Sequence, residues 1–285
     1  MISAFSPGHI TCFFQPISSF DPLSAGSIGA GIRLNLGSTV KIVPTIGKTV
    51  VDMDLKVVTG EIVRSVVKAL DPKGNYSIVI KHDLPVGQGF GTTASDAVAT
   101  ALCMCQITNK SISEGYRAAH AADLIGGGGR GDVAGIMSQY QQPIRTVAGI
   151  PPFGKVEDSK VNVGKLTLVS FGSQLITRKV LSNKDKATRI SEAGAKAMKD
   201  YVADMSLESL FMISNRFSKE AGLRTPGVDK AIGRLEEKGY MAAMCMLGNS
   251  IFTNAPLETV SDIIGNVWAT ECYATTDEAK LIRIM

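Results

Sequence analysis

The segment from Pro85 to Ser95 reads Pro-Val-Gly-Gln-Gly-Phe-Gly-Thr-Thr-Ala-Ser, with three glycines at alternate positions followed at once by hydroxyl residues. Without Cβ atoms at Gly87, Gly89 and Gly91 the backbone can approach a ligand and turn its N–H groups toward it. A helix starting behind the loop adds partial positive charge at its N-terminus, so phosphate is the natural occupant. Thr92 and Thr93 then offer hydroxyls to a phosphate oxygen or to magnesium. The loop is not a Walker A sequence, because no Gly-Lys-Ser/Thr follows, and its third glycine is misplaced for a dinucleotide fingerprint. Glycines alone at this spacing would equally serve a hairpin or a helix cap.

A second cluster runs Ala119-His120-Ala-Ala-Asp123-Leu-Ile, then four consecutive glycines, then Arg130-Gly131-Asp132. His120 and Asp123 are three apart and share a helix face. The glycine run lets the chain return, so that Asp132 can approach the same region. Two carboxylates beside a triphosphate suit two different tasks, holding magnesium and taking the proton of an attacking hydroxyl. A lone helical Asp or a Gly-Asp turn is, by itself, an ordinary polar surface position. His9, in Ser6-Pro-Gly-His-Ile10, can position a hydroxyl or phosphate as a neutral imidazole, or make a structural hydrogen bond. Met244 to Phe252 reads as strand, Gly-Asn turn, strand.

The elements around these residues follow from pattern. Ile32 to Leu55 is rich in Val, Ile and Thr broken by Gly37, Pro44 and Gly47, which predicts short strands joined by turns. A helix is expected over Gly60–Ala69 and a strand over Tyr76–His82, feeding the glycine loop. Thr92 to Ile107 has no proline or glycine, is rich in alanine and is apolar nearly all round, as a buried helix would be. Ser113 to Ile125 forms a second helix, capped at Ser111 or Ser113 and stopped by the glycines. The Gly149-Ile-Pro-Pro-Phe-Gly154 segment predicts a boundary between residues 1–154 and 155–285. Beyond it a strand is expected at Lys165–Phe171, with helices at Lys184–Asp204, Leu207–Ala221 and Val228–Lys238.

At 285 residues, 45% hydrophobic and 20% charged, the chain is an ordinary globular protein able to bury a large core. The net charge of +4 is dispersed, with no basic run interleaved with aromatics, which argues against nucleic-acid binding. The five cysteines lack CxxC spacing and read as core thiols, not zinc ligands. No apolar stretch is long enough for a membrane span and no signal peptide is evident, so a cytoplasmic chain without membrane attachment is expected.

The string from Pro85 resembles the central motif of the GHMP kinases, Pro-x-x-x-Gly-Leu-Gly-Ser-Ser-Ala, with Phe90 for leucine and Thr92-Thr93 for the serine pair. Asp123 and Asp132 resemble that superfamily's magnesium ligand and catalytic aspartate. Ser6-Pro-Gly-His9 is similar to its first motif, although a basic residue is usual at His9, and the Gly248 turn is similar to its third. Ser6–Phe14, Asp21–Gly31 and Ala119–Val133 resemble the archaeal pantoate kinases in particular. The resemblance implies a two-domain α+β fold, with an N-terminal half like domain 2 of ribosomal protein S5 and a ferredoxin-like C-terminal half. It implies ATP-dependent phosphorylation of (R)-pantoate to 4-phosphopantoate in coenzyme A biosynthesis, and homodimers are common in the superfamily. ATP would contact Pro85, Gly87, Gly89, Phe90, Gly91, Thr92, Thr93 and Ala94, magnesium would bind Thr93 and Asp123, and Asp132 would be catalytic. Pantoate, a hydroxy acid, would meet Ser27, His120, His9 and Arg145, because arginine pairs with carboxylates through two parallel hydrogen bonds. Arg130 is the second arginine candidate. Two other readings stay open: a GHMP kinase for mevalonate, homoserine or shikimate, and a non-catalytic GHMP-fold sensor of nucleotide or metabolite.

Overall fold

The computed structural model describes residues 1–172 and 184–282. Two long antiparallel strands open the chain, β1 (Ile2–Ile17) and β2 (Gly26–Pro44), with His9 opposite Arg33 and Thr11 opposite Gly31. Neither was expected at this length. Pro7, Gly8 and Pro16 look like strand breakers, yet Pro7 and Gly8 sit at a register shift, where an unpaired residue is tolerated. The glycines of β2 look like turns but are places of close approach. A Cβ on Gly31 would lie 2.2 Å from the His9 Nε2, and one on Gly37 would lie 2.0 Å from the Ser6 carbonyl oxygen.

β3 (Val50–Met53) and β4 (Lys56–Val58) form a hairpin, and β3 runs parallel to β5 (Tyr76–His82), which pairs with the second half of β2. The first half of β2 pairs instead with β6 (Pro143–Val147), which pairs with β7 (Lys155–Asp158). Helix α2 (Thr92–Thr108) packs on β1 and β2, and α1 (Glu61–Leu70) and α3 (Ile112–Gly126) pack on α2. Ser111 caps α3 in a reciprocal capping box with Glu114. A short helix, α4 (Asp132–Met137), follows the glycine run.

The second sheet holds β8 (Lys165–Ser170), β9 (Ala242–Met244), β10 (Ser250–Thr253) and β11 (Trp268–Tyr273). Its order, β11-β8-β10-β9, places fourth, first, third and second strands side by side, all antiparallel, which is the ferredoxin-like arrangement. Helices α5 (Lys184–Ala203), α6 (Leu207–Glu220), α7 (Pro226–Glu236) and α8 (Leu257–Ile264) accompany it. The expected division at residue 154 falls inside the first sheet, between β6 and β7, and a last strand, β12 (Lys280–Ile282), returns to pair with β1. The halves also share a core: Ile10, Phe13 and Phe14 of β1 pack in one apolar cluster with Tyr201, Phe217 and Phe252. Phe13 meets Tyr201 and Phe14 meets Phe217 edge to face.

Candidate active site

The glycine loop joins β5 to α2. Gly91 is the N-cap of α2 in left-handed conformation, with no side-chain cap and no acidic residue in the first turn, so the first N–H groups of the helix are left for a ligand. Opposite lies the turn after β9. A Cβ on Gly89 would sit 2.9 Å from the Cys245 carbonyl oxygen, and one on Gly248 would sit 2.0 Å from that of Gln88. The two loops therefore close on each other backbone to backbone, and the Ser250 hydroxyl donates to the Gln88 carbonyl across the seam. The cleft they border is lined by the loop glycines, Thr92, Thr93, residues 127–132, Ser27, Met246 and Leu247. Its empty space is about 750 Å³ with the open mouth included.

Asp123 and Asp132 stand on either side of the glycine run. Asp123 is buried, bonded to Thr93 and to the Gly129 backbone, while its Oδ1 has no partner. Burial, reinforced by the charge of Asp132, pushes its carboxyl well above the usual range. A Cβ on Gly128 would lie 2.0 Å from Asp123 Oδ1 and 2.9 Å from Thr93 Oγ1, so this glycine keeps the two oxygens accessible to each other. No group of three or more His, Cys, Asp or Glu side chains is arranged for a metal among the described residues. One unpartnered carboxylate oxygen beside one hydroxyl suits an ion that keeps waters and takes phosphate oxygens as its other ligands, as magnesium does.

Asp132 opens α4. Its Oδ1 receives hydrogen bonds from the His9 Nδ1, at 2.7 Å, and the Thr11 hydroxyl, at 2.9 Å, leaving Oδ2 free. Burial favours its protonated form, but the bond from His9, the charge of Arg145 and the Thr11 hydroxyl prevail and hold the carboxyl below its ordinary range. His9 itself is fully buried, and burial lowers its pKa against the pull of Asp132, so it is a neutral imidazole with the proton on Nδ1. Its ring fills a slot between two glycines: a Cβ on Gly135 would lie 2.5 Å from Nε2, much as at Gly31.

Arg145 lies on β6 opposite Gly29. It is 1% exposed, and none of its three guanidinium nitrogens has a partner. A Cβ on Gly131 would be 2.3 Å from Arg145 Nε and 2.7 Å from Ser27 Oγ, so guanidinium and hydroxyl come together at Gly131, where the hydroxyl lines the cleft and the guanidinium lies just behind its wall. A buried guanidinium with all its donors free is held for an anion, because leaving it unpaired costs several kcal/mol.

Not every expected residue lines the cleft: Arg145 lies behind Gly131 and Asp123 behind Gly128, each one layer back from its wall. His120 donates through Nε2 to the Pro22 and Ala25 carbonyls, at 3.1 and 3.0 Å, so it pins the β1–β2 connection just before Ser27 and does not line the cleft. His9, walled in by glycines, touches Asp132 and does not line the cleft. Phe90 and Ala94 are buried in packing, Phe90 against Trp268 at 5.9 Å, and Pro85 only opens the loop. Gly87, Gly89, Gly91, Thr92, Thr93, Ser27, Asp132 and the second arginine candidate, Arg130, do border the cleft. Thr11, Met246 and Leu247 were missed. Thr11 had a signal only in hindsight, two positions after His9 on the same face of a strand.

The family description "GHMP kinases N terminal domain" matches residues 58–140. The chain is 30% identical over 266 residues to a pantoate kinase of Thermococcus kodakarensis, covering 88% of this chain and 87% of that protein. It is 27% identical to a pantoate kinase of Methanocaldococcus jannaschii, covering 91% and 95%. Among solved structures, a phosphotransferase related to the CoA biosynthesis pathway superposes with a TM-score of 0.89 at 27% identity, covering 99% and 98% of the two chains. The mevalonate-3-kinase of Thermoplasma acidophilum shares the fold alone, with a TM-score of 0.65 at 12% identity. The chain belongs to the pantoate kinase family of the GHMP kinases.

Proposed function

We propose that this chain transfers the γ-phosphoryl group of ATP to the primary hydroxyl of (R)-pantoate, giving ADP and 4-phosphopantoate for coenzyme A synthesis. The observation that carries this reading is the buried, unpartnered Arg145 guanidinium, which lies directly behind Gly131 and beside Ser27, the glycine and the serine both lining the cleft that the phosphate loop borders. It calls for an acceptor with a carboxylate at one end and a hydroxyl within reach of Asp132. Any small hydroxy acid has those two groups; the names of the relatives favour pantoate.

The acceptor carboxylate pairs with Arg145 in this reading, and Ser27 bonds a further oxygen. Asp132 Oδ2 faces the hydroxyl and orients it or takes its proton as the oxygen attacks the γ-phosphorus and the bond to the β,γ-bridging oxygen breaks. His9 and Thr11 hold the other oxygen, so the carboxylate keeps its direction and its charge. The α2 N-terminus and the N–H groups of the glycine loop carry much of the charge on the transferring oxygens. Asp123 and Thr93 would hold magnesium, which when bound neutralises the β- and γ-phosphates. ADP release from ATP and magnesium, measured against pantoate, mevalonate, homoserine and shikimate, tests the proposal: turnover with pantoate alone is expected, and turnover with another acceptor would discard the pocket assignment.

A further inference from the structure

Behind the phosphate-facing helix lies a charged cluster that the proposed mechanism does not use. His82 ends β5, directly before the glycine loop. Its Nδ1 is 2.7 Å from Asp54 Oδ2, and its Nε2 is 3.0 and 3.1 Å from the two oxygens of Asp96. Its backbone N–H also donates to Asp54 Oδ1. The His82 side chain is 2% exposed and that of Asp96 6%, whereas Asp54, in the β3–β4 turn, is 48% exposed. Ionised carboxylates only accept, so a ring held between two of them donates from both nitrogens and is an imidazolium; burial pushes the Asp96 carboxyl up, and the bonds and charge of His82 pull against that burial.

Asp96 stands four residues after Thr92 on α2, about 6 Å along the axis from the start of the helix. The partial positive charge that a helix N-terminus offers a phosphate is worth only about half a unit. A buried, unpaired carboxylate one turn below it would cancel that attraction. Asp96 is also close enough to add to the upward pressure on Asp123.

We propose that His82 acts through Asp96 as a positioning residue for the nucleotide, neutralising the carboxylate buried beneath the phosphate-facing end of α2 so that this end stays attractive to ATP. The inference rests on the reading of the cleft as an ATP site. The cluster carries one net negative charge, and Asp54 places it at the solvent side. Burial opposes the charge on His82, but Asp96 and Asp54 override it and raise its pKa to about 9. Two further charged groups bear on the cluster: Lys81, which acts on Asp54, and Asp123, which repels Asp96.

The test is the ATP dissociation constant in magnesium, measured by calorimetry without an acceptor. His82→Gln leaves Asp96 unpaired and should weaken ATP about tenfold near neutral pH. Asp96→Asn, which removes the carboxylate and leaves the imidazolium, should bind ATP no more weakly than wild type, and the double variant should lie within about threefold of it. Wild-type affinity should fall as pH rises through about 9, a limb absent from the double variant. If His82 were only a mechanical tie, all three variants would weaken ATP alike, and that result overturns the inference, as does unchanged binding by His82→Gln. A wild-type chain that binds no ATP would sink the kinase reading and this inference with it.

Discussion

Asp123 and Asp132 flank the same glycine run and are both largely buried, yet their surroundings drive them in opposite directions. Asp123 has one hydroxyl and one N–H against burial and the charge of Asp132, and its carboxyl is held up. Asp132 has a histidine, a hydroxyl and an arginine, and its carboxyl is held down. The lesson is that one end of the site awaits its positive charge while the other carries it already. A pair of carboxylates whose environments push them apart is a pair with separate duties.

The comparison breaks most visibly at Asp132. Asp132→Asn should cut kcat by about 10³-fold with ATP affinity nearly intact; steady-state turnover close to wild type would end its assignment. At the other end, Asp123→Asn should lose roughly 100-fold in kcat together with the dependence of rate on magnesium. It should also melt at a higher temperature than wild type in metal-free buffer at neutral pH. The sign follows from linkage: the folded chain holds the Asp123 proton more tightly than the unfolded one, so stability falls as pH rises from the ordinary carboxylate range through the folded pKa. The advantage of the variant should therefore vanish in acid, which melting curves across pH will show.

Two smaller effects sharpen the Asp132 side. Arg145→Ala should raise the acceptor KM by about 10- to 100-fold, the loss expected for a charged hydrogen-bonded pair. It should also move the acid limb of the rate profile to higher pH, because the cation that helps hold Asp132 ionised has gone. Rate supported by Asp132 is present above its folded pKa and lost as pH falls through it, so the wild-type limb should lie below the usual carboxylate range. His9→Gln should lower kcat about tenfold with acceptor KM unchanged; a change in KM alone would return His9 to the substrate.

Much of this was legible in the residues. The abrupt change from glycines to an alanine-rich run marks the start of α2 at Thr92, and of the two serines expected to cap α3, Ser111 and Ser113, Ser111 is the cap. Asp123 and Asp132 are brought together because the glycines that end α3, with Gly127 in left-handed conformation, let the chain double back. β1 was hidden because its prolines and buried polar residues, Ser3, Ser6 and His9, break the alternation that identifies a strand. The spacing of His120 and His9 places them near the site, but the direction of an imidazole depends on carbonyls and glycines far away in the chain. The same holds for Arg145, whose lack of partners is a property of the space around it.

One feature of the hairpin bears on how the chain reaches this state. The apolar side chains of β1 that pack with Tyr201 and Phe217 find their cover 188 and 203 residues downstream, on α5 and α6. Contacts of such sequence separation slow folding, since the chain must close a long loop before they reward it. During synthesis Phe13 and Phe14 therefore stay uncovered until α5 and α6 have been made, and a fragment ending before α5 would present them as a sticky surface, prone to association in place of folding.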